Sequence, residues 1–332
     1  MATPLIGTSN VTEMIRELTT HIADTGLNVL ISGEPGVGKE VVALNIYNKS
    51  KTENKPFVKV NCAALPEKLL ERELFGFERD AFDGAYRKKK GMFELSAQGV
   101  LFLDKIEEMP INTQKKLLIV IQTGEFAPLG SEKDIKTDSW VIASTTQDLE
   151  KKVEKGLFRE DLYYRLNIIK IYIPPLRERP EDIPPLIDYY LEKYISQFGI
   201  KQISRPDPDT MNMLMAYNWP GNVRELLSVL ENYINLGNWN DIIENLYLED
   251  KYVSESISDL TRASIDNFMS DFKRQYSLKD ISSPLNIFRK TVKKRIESDV
   301  ISHVLNKKGW NRAKVIEILK IGSKELFKNK RA

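Results

Sequence analysis

The residues Gly33-Glu34-Pro35-Gly36-Val37-Gly38-Lys39-Glu40 have the types and spacing to hold a polyphosphate. Three glycines let the backbone curl into a concave loop with its N–H groups turned inward, where they can donate to phosphate oxygens. Lys39 completes the spacing G-x-x-x-x-G-K, and its ammonium can reach the β- and γ-phosphates. The apolar run Val29, Leu30, Ile31 precedes the loop and Val41, Val42, Ala43, Leu44 follow it. A buried strand therefore turns into a helix here, and the helix points its positive end at the same place. The residue after the lysine is ordinarily a Ser or Thr that holds Mg²⁺. In this chain it is Glu40.

Such a loop needs a sheet to carry it. Five short apolar runs, at 28–32, 57–61, 100–104, 140–145 and 168–173, alternate with helical patterns. That alternation predicts a mainly parallel sheet with helices on both faces, where ligands bind at the carboxyl ends of the strands. Asp104 stands at such an end. Ahead of the sheet, residues 10–24 carry Val11, Met14, Ile15, Leu18 and Ile22 at helical spacing, with Asn10 or Thr12 as the cap and His21 as a surface or packing residue. After it, Pro174-Pro175 and residues 176–185 (LRERPEDIPP) read as a stiff connector, because each proline fixes its own φ and restrains its predecessor. Helical patterns at 186–198, 209–217 and 223–236 then form a small lid, and 241–286 form a linker. From Ile287 a helix bearing Val292, Ile296, Val300, Ile301 and Leu305 leads to two short helices joined by a Gly-containing turn, the layout of a helix-turn-helix.

Composition narrows the class. A chain of 332 residues exceeds one hydrophobic core, and 42% hydrophobic with 29% charged residues is the balance of a soluble globular protein. No apolar run approaches the ~20 residues that span a bilayer, and the first residues lack the layout of a signal peptide, so a cytoplasmic protein is expected. The single Cys62 and two histidines argue against a disulfide or a structural zinc. Net charge is +2, yet residues 288–332 hold 14 Lys and Arg against 4 Asp and Glu. A basic end on an acidic body points to a polyanion partner at the C-terminus.

Taken together, the stretches GEPGVGKE, VKVNCAALPEKLLERELFG, GVLFLDKIEEMP, LFREDLYYRLN, IYIPPLRERPEDIPPL and NWPGNVREL resemble the AAA+ domain of bacterial enhancer-binding proteins. These are the sigma-54-dependent transcriptional activators, and the basic end resembles their Fis-type helix-turn-helix. The resemblance implies an α/β fold: an AAA+ P-loop NTPase with a parallel five-stranded sheet, a helical lid and a C-terminal all-α domain. Its boundaries would be 1–175 for the nucleotide-binding subdomain, 176–240 for the lid, 241–286 for the linker and 287–332 for the DNA-binding domain.

The family's residue roles carry over position by position. Residues Gly33, Glu34, Pro35, Gly36, Val37, Gly38, Lys39 and Glu40 would hold ATP, and Glu40 itself is shared with the family. Asp104 would hold Mg²⁺, and Asn61 joins the catalytic set. Arg159 and Arg165 match arginine fingers that complete a neighbouring subunit's site, and Arg224 matches the lid arginine that senses nucleotide from the same chain. A ring of six or seven subunits, with a dimer at rest, is implied. No sensory domain precedes the ATPase-like region, so control by a protein acting in trans is expected. Arg312, Lys314, Ser323, Lys324, Lys328 and Lys330 would face DNA, a partner whose phosphates make binding salt-dependent.

Three positions depart from that pattern. The family places Glu after the strand-ending Asp, as the base that polarises the attacking water, whereas this chain has Lys105. An ammonium cannot accept that proton, and loss of a general base costs about 10² to 10⁴ in rate. The family's Asn near the γ-phosphate is replaced by Thr146. Its sigma-54-contacting loop GAFTGA reads Asp80-Ala81-Phe82-Asp83-Gly84-Ala85, whose two added carboxylates argue against remodelling sigma-54 RNA polymerase in the usual manner. The reading reached is a DNA-binding regulator whose ATP-bound ring hydrolyses weakly or not at all. Its rivals are a working sigma-54 motor in which Glu107 or Glu108 replaces the base, and a scaffold that needs no nucleotide.

Overall fold

The computed structural model describes residues 4–198, 204–244 and 246. The chain divides into two compact units, Met1–Ile242 and Ile243–Ala332, and nearly all described residues belong to the first. The expected helix-turn-helix at 287–332, with Arg312, Lys314, Ser323, Lys324, Lys328 and Lys330, lies outside the described residues.

Along the first unit run α1 (Asn10–Ile22), β1 (Val29–Ser32), α2 (Lys39–Lys49), β2 (Phe57–Asn61), α3 (Glu67–Phe75), β3 (Gly76–Phe77), β4 (Lys89–Lys90) and α4 (Met92–Leu95). There follow β5 (Val100–Asp104), α5 (Ile111–Thr123), β6 (Glu125–Phe126), β7 (Ile135–Lys136), β8 (Trp140–Thr145), α6 (Leu149–Glu154), α7 (Glu160–Leu166) and β9 (Ile169–Tyr172). The last helices are α8 (Ile183–Phe198), α9 (Pro208–Ala216) and α10 (Asn222–Leu236). Five strands form one parallel sheet in the order β2-β5-β8-β1-β9. They are the five runs read from the sequence, trimmed by a residue at each of three ends.

Strand side chains alternate between the two faces, so one sheet feeds two cores. Leu30, Val60, Leu101, Leu103, Val141 and Ala143 pack on one side with Leu74, Leu117, Leu162 and Leu166 from α3, α5 and α7. Val29, Ile31, Val100, Phe102 and Ile142 pack on the other with Ile15, Ile22, Val42 and Ile46 from α1 and α2. Burial on both faces explains why the central strands read as continuous apolar runs. Register then sets the site. Asn61 pairs with Asp104 and Ser32 with Thr145, so the strand ends line up along one edge.

Two local expectations are corrected. The cap of α1 is Ser9, whose side chain accepts from the Thr12 backbone N–H, rather than Asn10 or Thr12. The buried face of that helix is Thr12, Ile15, Thr19 and Ile22, while Met14 is 67% exposed and Val11 and Leu18 also face outward. The threonines go in because a buried carboxylate waits for them. Asp182 Oδ1 accepts from Thr8 N and Ser9 N, both at 2.7 Å, and Oδ2 accepts from the Ser9 and Thr12 hydroxyls.

That carboxylate belongs to the segment read as a stiff connector. Residues 176–185 instead form two 3-10 turns, Leu176–Glu178 and Pro180–Asp182, and then the start of α8. Pro184 and Pro185 sit in the first turn of that helix, where a missing N–H costs nothing. Here the prolines begin a packed element.

Candidate nucleotide site

The loop between β1 and α2 has the backbone its glycines foretold. Gly36 (φ +82°) and Gly38 (φ +104°) lie in the left-handed region, and the Gly33 N–H donates to Thr145 O at 3.3 Å. Lys39, the first residue of α2, is 7% exposed and turned back over the loop, donating to Gly33 O at 2.7 Å and Glu34 O at 2.9 Å. Burial lowers its pKa from 10.5 to about 8, against the opposing pull of Asp104 and Glu107, while Arg224 and Lys105 lower it further. Those four charges and Lys39 therefore share one electrostatic neighbourhood. Beside the loop a cavity of about 510 Å³ opens between Ser32, Gly33, Glu34, Thr145, Thr146 and Gln147.

Opposite the loop, Asp104 ends β5 with one carboxylate oxygen held by the Ser144 hydroxyl. Hard carboxylate oxygen is the kind of donor that suits Mg²⁺, and Asp104 is a residue that could supply it. Glu40 is engaged elsewhere, since Lys59 Nζ on β2 donates to its Oε2. Lys105 adopts a left-handed backbone (φ 56°, ψ 52°), and its N–H reaches the Ser144 hydroxyl at 3.4 Å. The following 3-10 turn, Ile106–Glu108, presents two carboxylates that go different ways. Glu107 is 3% exposed, and its Oε1 accepts from both the backbone N–H and the hydroxyl of Thr146. Glu108 is exposed and accepts from Gln147 Nε2 at 3.0 Å and Lys152 Nζ at 3.4 Å.

Other expected site residues fall into three groups. Asn61 spends its amide oxygen on the Ala63 N–H at 3.0 Å, a local turn at the end of β2. Arg224 of α10 is brought to the loop: its N–H donates to Gly36 O at 3.3 Å, and Gly36 packs so closely that an added Cβ would lie 3.2 Å from Arg224 Cβ. Arg159, the N-cap of α7, and Arg165 within it are not brought to the chain's own loop. Arg159 forms an ion pair with Asp161, and Arg165 lies where its carbonyl accepts from the Asn28 amide, at the start of β1 and thus at the edge opposite the loop.

The Asp80–Ala85 loop is a folded turn. The Asp80 N–H donates to Ala85 O at 2.8 Å and the Ala85 N–H to Phe82 O at 2.9 Å. Phe82 turns inward, edge-on to Phe77 at 4.9 Å and with the Arg72 guanidinium 3.4 Å above its ring. Asp80 and Asp83 stay exposed, and Asp80 holds φ +63°, a region that Asp tolerates better than most residues.

Sequence reasoning passed over the residues that join loop to lid. Arg177 donates twice to Glu34, and the fully buried Asn222 donates to Glu34 Oε2 and Pro35 O, both at 3.1 Å. Arg179 is buried and donates to Val37 O at 2.8 Å. The signal available was the charge density of LRERPED between apolar neighbours, which marks residues that must find partners when buried.

Residues 5–172 match the Sigma-54 interaction domain, and residues 177–278 match an AAA+ ATPase lid domain. Regulatory protein AtoC of Escherichia coli (strain K12) is 49% identical over 213 residues, 64% of this chain and 46% of its own length. The DNA-binding transcriptional regulator NtrC of Rhizobium meliloti (strain 1021) is 35% identical over 334 residues, 98% of this chain and 68% of its own. The crystal structure of NtrX from Brucella abortus in complex with ATP superimposes with a TM-score of 0.68 at 30% identity, covering 95% of this chain and 66% of that one. This chain spans about half the length of the first curated relatives it matches, at 46% and 47%. Among the described residues no helix is long and apolar enough to cross a membrane.

Proposed function

Since the chain belongs to the family of the sigma-54 interaction AAA+ domain, we propose that it is a cytoplasmic transcription regulator whose ATP-bound form assembles into a six- or seven-membered ring and hydrolyses weakly or not at all. The observation that carries this reading is the pairing of an intact phosphate cradle, closed by Lys39, with an ammonium at Lys105 in the place of a base. NtrX of Brucella abortus was crystallised with ATP and with ADP, which supports nucleotide as the ligand. Gly33 to Lys39 would hold the phosphates, Arg224 would sense them from the lid, and Asp104 would hold Mg²⁺. Bound there, that ion would supply neutralisation of the phosphate charge.

Arg159 and Arg165 would serve a neighbouring subunit, which explains why neither approaches the chain's own loop. Residues 176–240 would be the lid, 241–286 a linker and 287–332 the DNA-binding domain, with the six basic and polar residues named above on the DNA face. Asp80 and Asp83 on the turn that resembles the sigma-54 contact place two negative charges on that surface, so coupling to sigma-54 polymerase should be weak or altered. A regulatory protein acting in trans would supply control.

ATP affinity and steady-state turnover of the purified oligomer test the reading, measured beside Lys39→Ala and Lys105→Glu. We expect binding by the natural protein, loss of binding in Lys39→Ala, and turnover well below about 1 s⁻¹ that rises in Lys105→Glu. Turnover at or above that rate in the natural protein would overturn weak hydrolysis. Unchanged affinity in Lys39→Ala would overturn the nucleotide site.

A further inference from the structure

Glu107 holds an unusual position. The residue is 3% exposed, and while Oε1 takes two hydrogen bonds from Thr146, Oε2 is buried with no hydrogen-bond partner. A buried carboxylate oxygen without a donor is costly, by about 1–3 kcal/mol or more. Such an atom is retained where something absent from the resting site supplies the donor.

Its surroundings say what that something is. Glu107 stands in the turn directly after β5, and Thr146 directly follows β8, the central strand between β5 and β1. The carboxylate thus sits over the carboxyl edge of the sheet, and its charge acts on Lys39 together with that of Asp104. Lys39 spends its donors on Gly33 O and Glu34 O and does not satisfy Oε2. The carbonyl of Glu107 is pinned by Lys152 Nζ at 2.7 Å, and Thr146 fixes the other end of the residue. A rigid acceptor with one unsatisfied oxygen is therefore held by Thr146, which lines the cavity beside the phosphate loop, within electrostatic reach of Lys39.

We propose that Glu107 is the catalytic base for the hydrolysis that this site retains, a role displaced from position 105, and that Thr146 is its positioning residue. The proposal rests on the reading that the site binds ATP. Glu107 Oε2 accepts a hydrogen bond from the attacking water and takes its proton as the water oxygen bonds to the γ-phosphorus. The bond from that phosphorus to the β–γ bridging oxygen breaks, and its electron pair leaves with ADP. The proton then passes from Glu107 to solvent as inorganic phosphate departs. Glu108 is the poorer candidate, because it is exposed and its Oε1 is already engaged by Gln147 Nε2 and Lys152 Nζ. Lys105 has no lone pair to offer while charged.

The test is single-turnover hydrolysis of radiolabelled ATP by the full chain, with affinity measured in parallel by a fluorescent ATP analogue. Glu107→Gln should slow the hydrolytic step about 10²-fold or more while affinity stays within about threefold. Glu107→Asp should keep an intermediate rate, and Glu108→Gln should match the natural protein. Thr146→Val, which leaves Oε1 only the backbone donor, should slow hydrolysis about tenfold and decides the matter if Glu107→Gln does not fold. An unchanged rate in Glu107→Gln, or in Thr146→Val, overturns the proposal. So does a natural protein that binds ATP and never cleaves it, which leaves the binding reading intact. Failure of the natural protein to bind ATP removes both at once.

Discussion

Glu34 and Arg177 meet in a two-bond ion pair, Nη1 to Oε2 at 2.9 Å and Nη2 to Oε1 at 2.6 Å. One partner belongs to the phosphate loop and the other to the turn that follows β9. Asn222, at the start of α10, donates to the same Glu34 carboxylate, so loop, turn and lid share one anion. The guanidinium keeps that negative charge compensated next to a site built for phosphate.

Replacing Arg177 by Ala should therefore affect ligand binding more than folding. Both partners of the ion pair are 38% exposed, so its loss should change stability by no more than about 1 kcal/mol. Without the guanidinium, the Glu34 carboxylate would no longer be charge-compensated by Arg177 and would repel polyphosphate, and ATP affinity should fall about threefold to fivefold, which a nucleotide titration at low and high salt reads. Equal affinity in both salts for Arg177→Ala and the natural protein would refute the coupling.

Lys39 gives a pH dependence with a definite sign. Its pKa is lowered from 10.5 to about 8 by burial, so above pH 8 the resting site loses the cation that meets phosphate. ATP affinity should drop about tenfold between pH 7 and pH 9, and Lys39→Ala should lack that component. Stability moves the opposite way. Between about 8 and 10.5 the unfolded chain binds the proton that the folded chain has shed, so this group's contribution to stability rises with pH over that window. Chemical denaturation at pH 7.5 and pH 9.5 in the absence of nucleotide compares the two ends.

Gly36 and Gly38 of the loop should respond differently to a methyl group. At Gly36 a Cβ would lie 2.2 Å from Gly221 O and 3.2 Å from Arg224 Cβ, so loop and lid would be forced apart. At Gly38 a Cβ would meet nothing within 4 Å, leaving only the backbone strain of φ +104°, about 1–2 kcal/mol. Thermal unfolding should rank Gly36→Ala well below Gly38→Ala. The reverse order would mean that the lid does not rest on the loop.

What the sequence revealed and what it concealed have separate physical causes. The strands were legible because β5 and β8 are buried on both faces and must be apolar throughout, and the loop because its glycines and Lys39 have few alternative uses. Helix α1 misled because Val11, Met14 and Leu18 keep helical spacing yet face outward, while Thr12 and Thr19 go inward. Periodicity counts apolar residues and cannot see that a distant carboxylate makes a buried threonine favourable. Likewise Glu107 and Glu108 are indistinguishable as letters, and only the geometry of one 3-10 turn separates the buried residue from the exposed one.

Asp182 brings that long-range dependence to a measurable point. It is fully buried, 170 or more residues from the groups that it binds on the N-terminal segment, and it accepts two backbone N–H groups and two hydroxyls there. Arg179, itself buried, approaches the same carboxylate at 3.4 Å and donates onward to Val37 O in the phosphate loop. Asp182→Ala would strand four donors and leave the guanidinium without its counter-charge. Breaking a buried ion pair from one side costs about 3–5 kcal/mol, and unpaired donors add to it. A cavity-filling Asp182→Leu cannot rescue this, because the donors remain. Asp182→Asn should fall between, since its carbonyl still accepts while its NH₂ meets donors. Urea unfolding of the three variants should give the order natural protein, Asn, then Ala and Leu together. A loss under about 1 kcal/mol in Asp182→Ala would show that α1 is held by its apolar face alone. The same variants should weaken ATP binding, because Arg179 without Asp182 no longer holds the Val37 carbonyl in place, and a nucleotide titration at protein concentrations where each variant is folded measures that second effect.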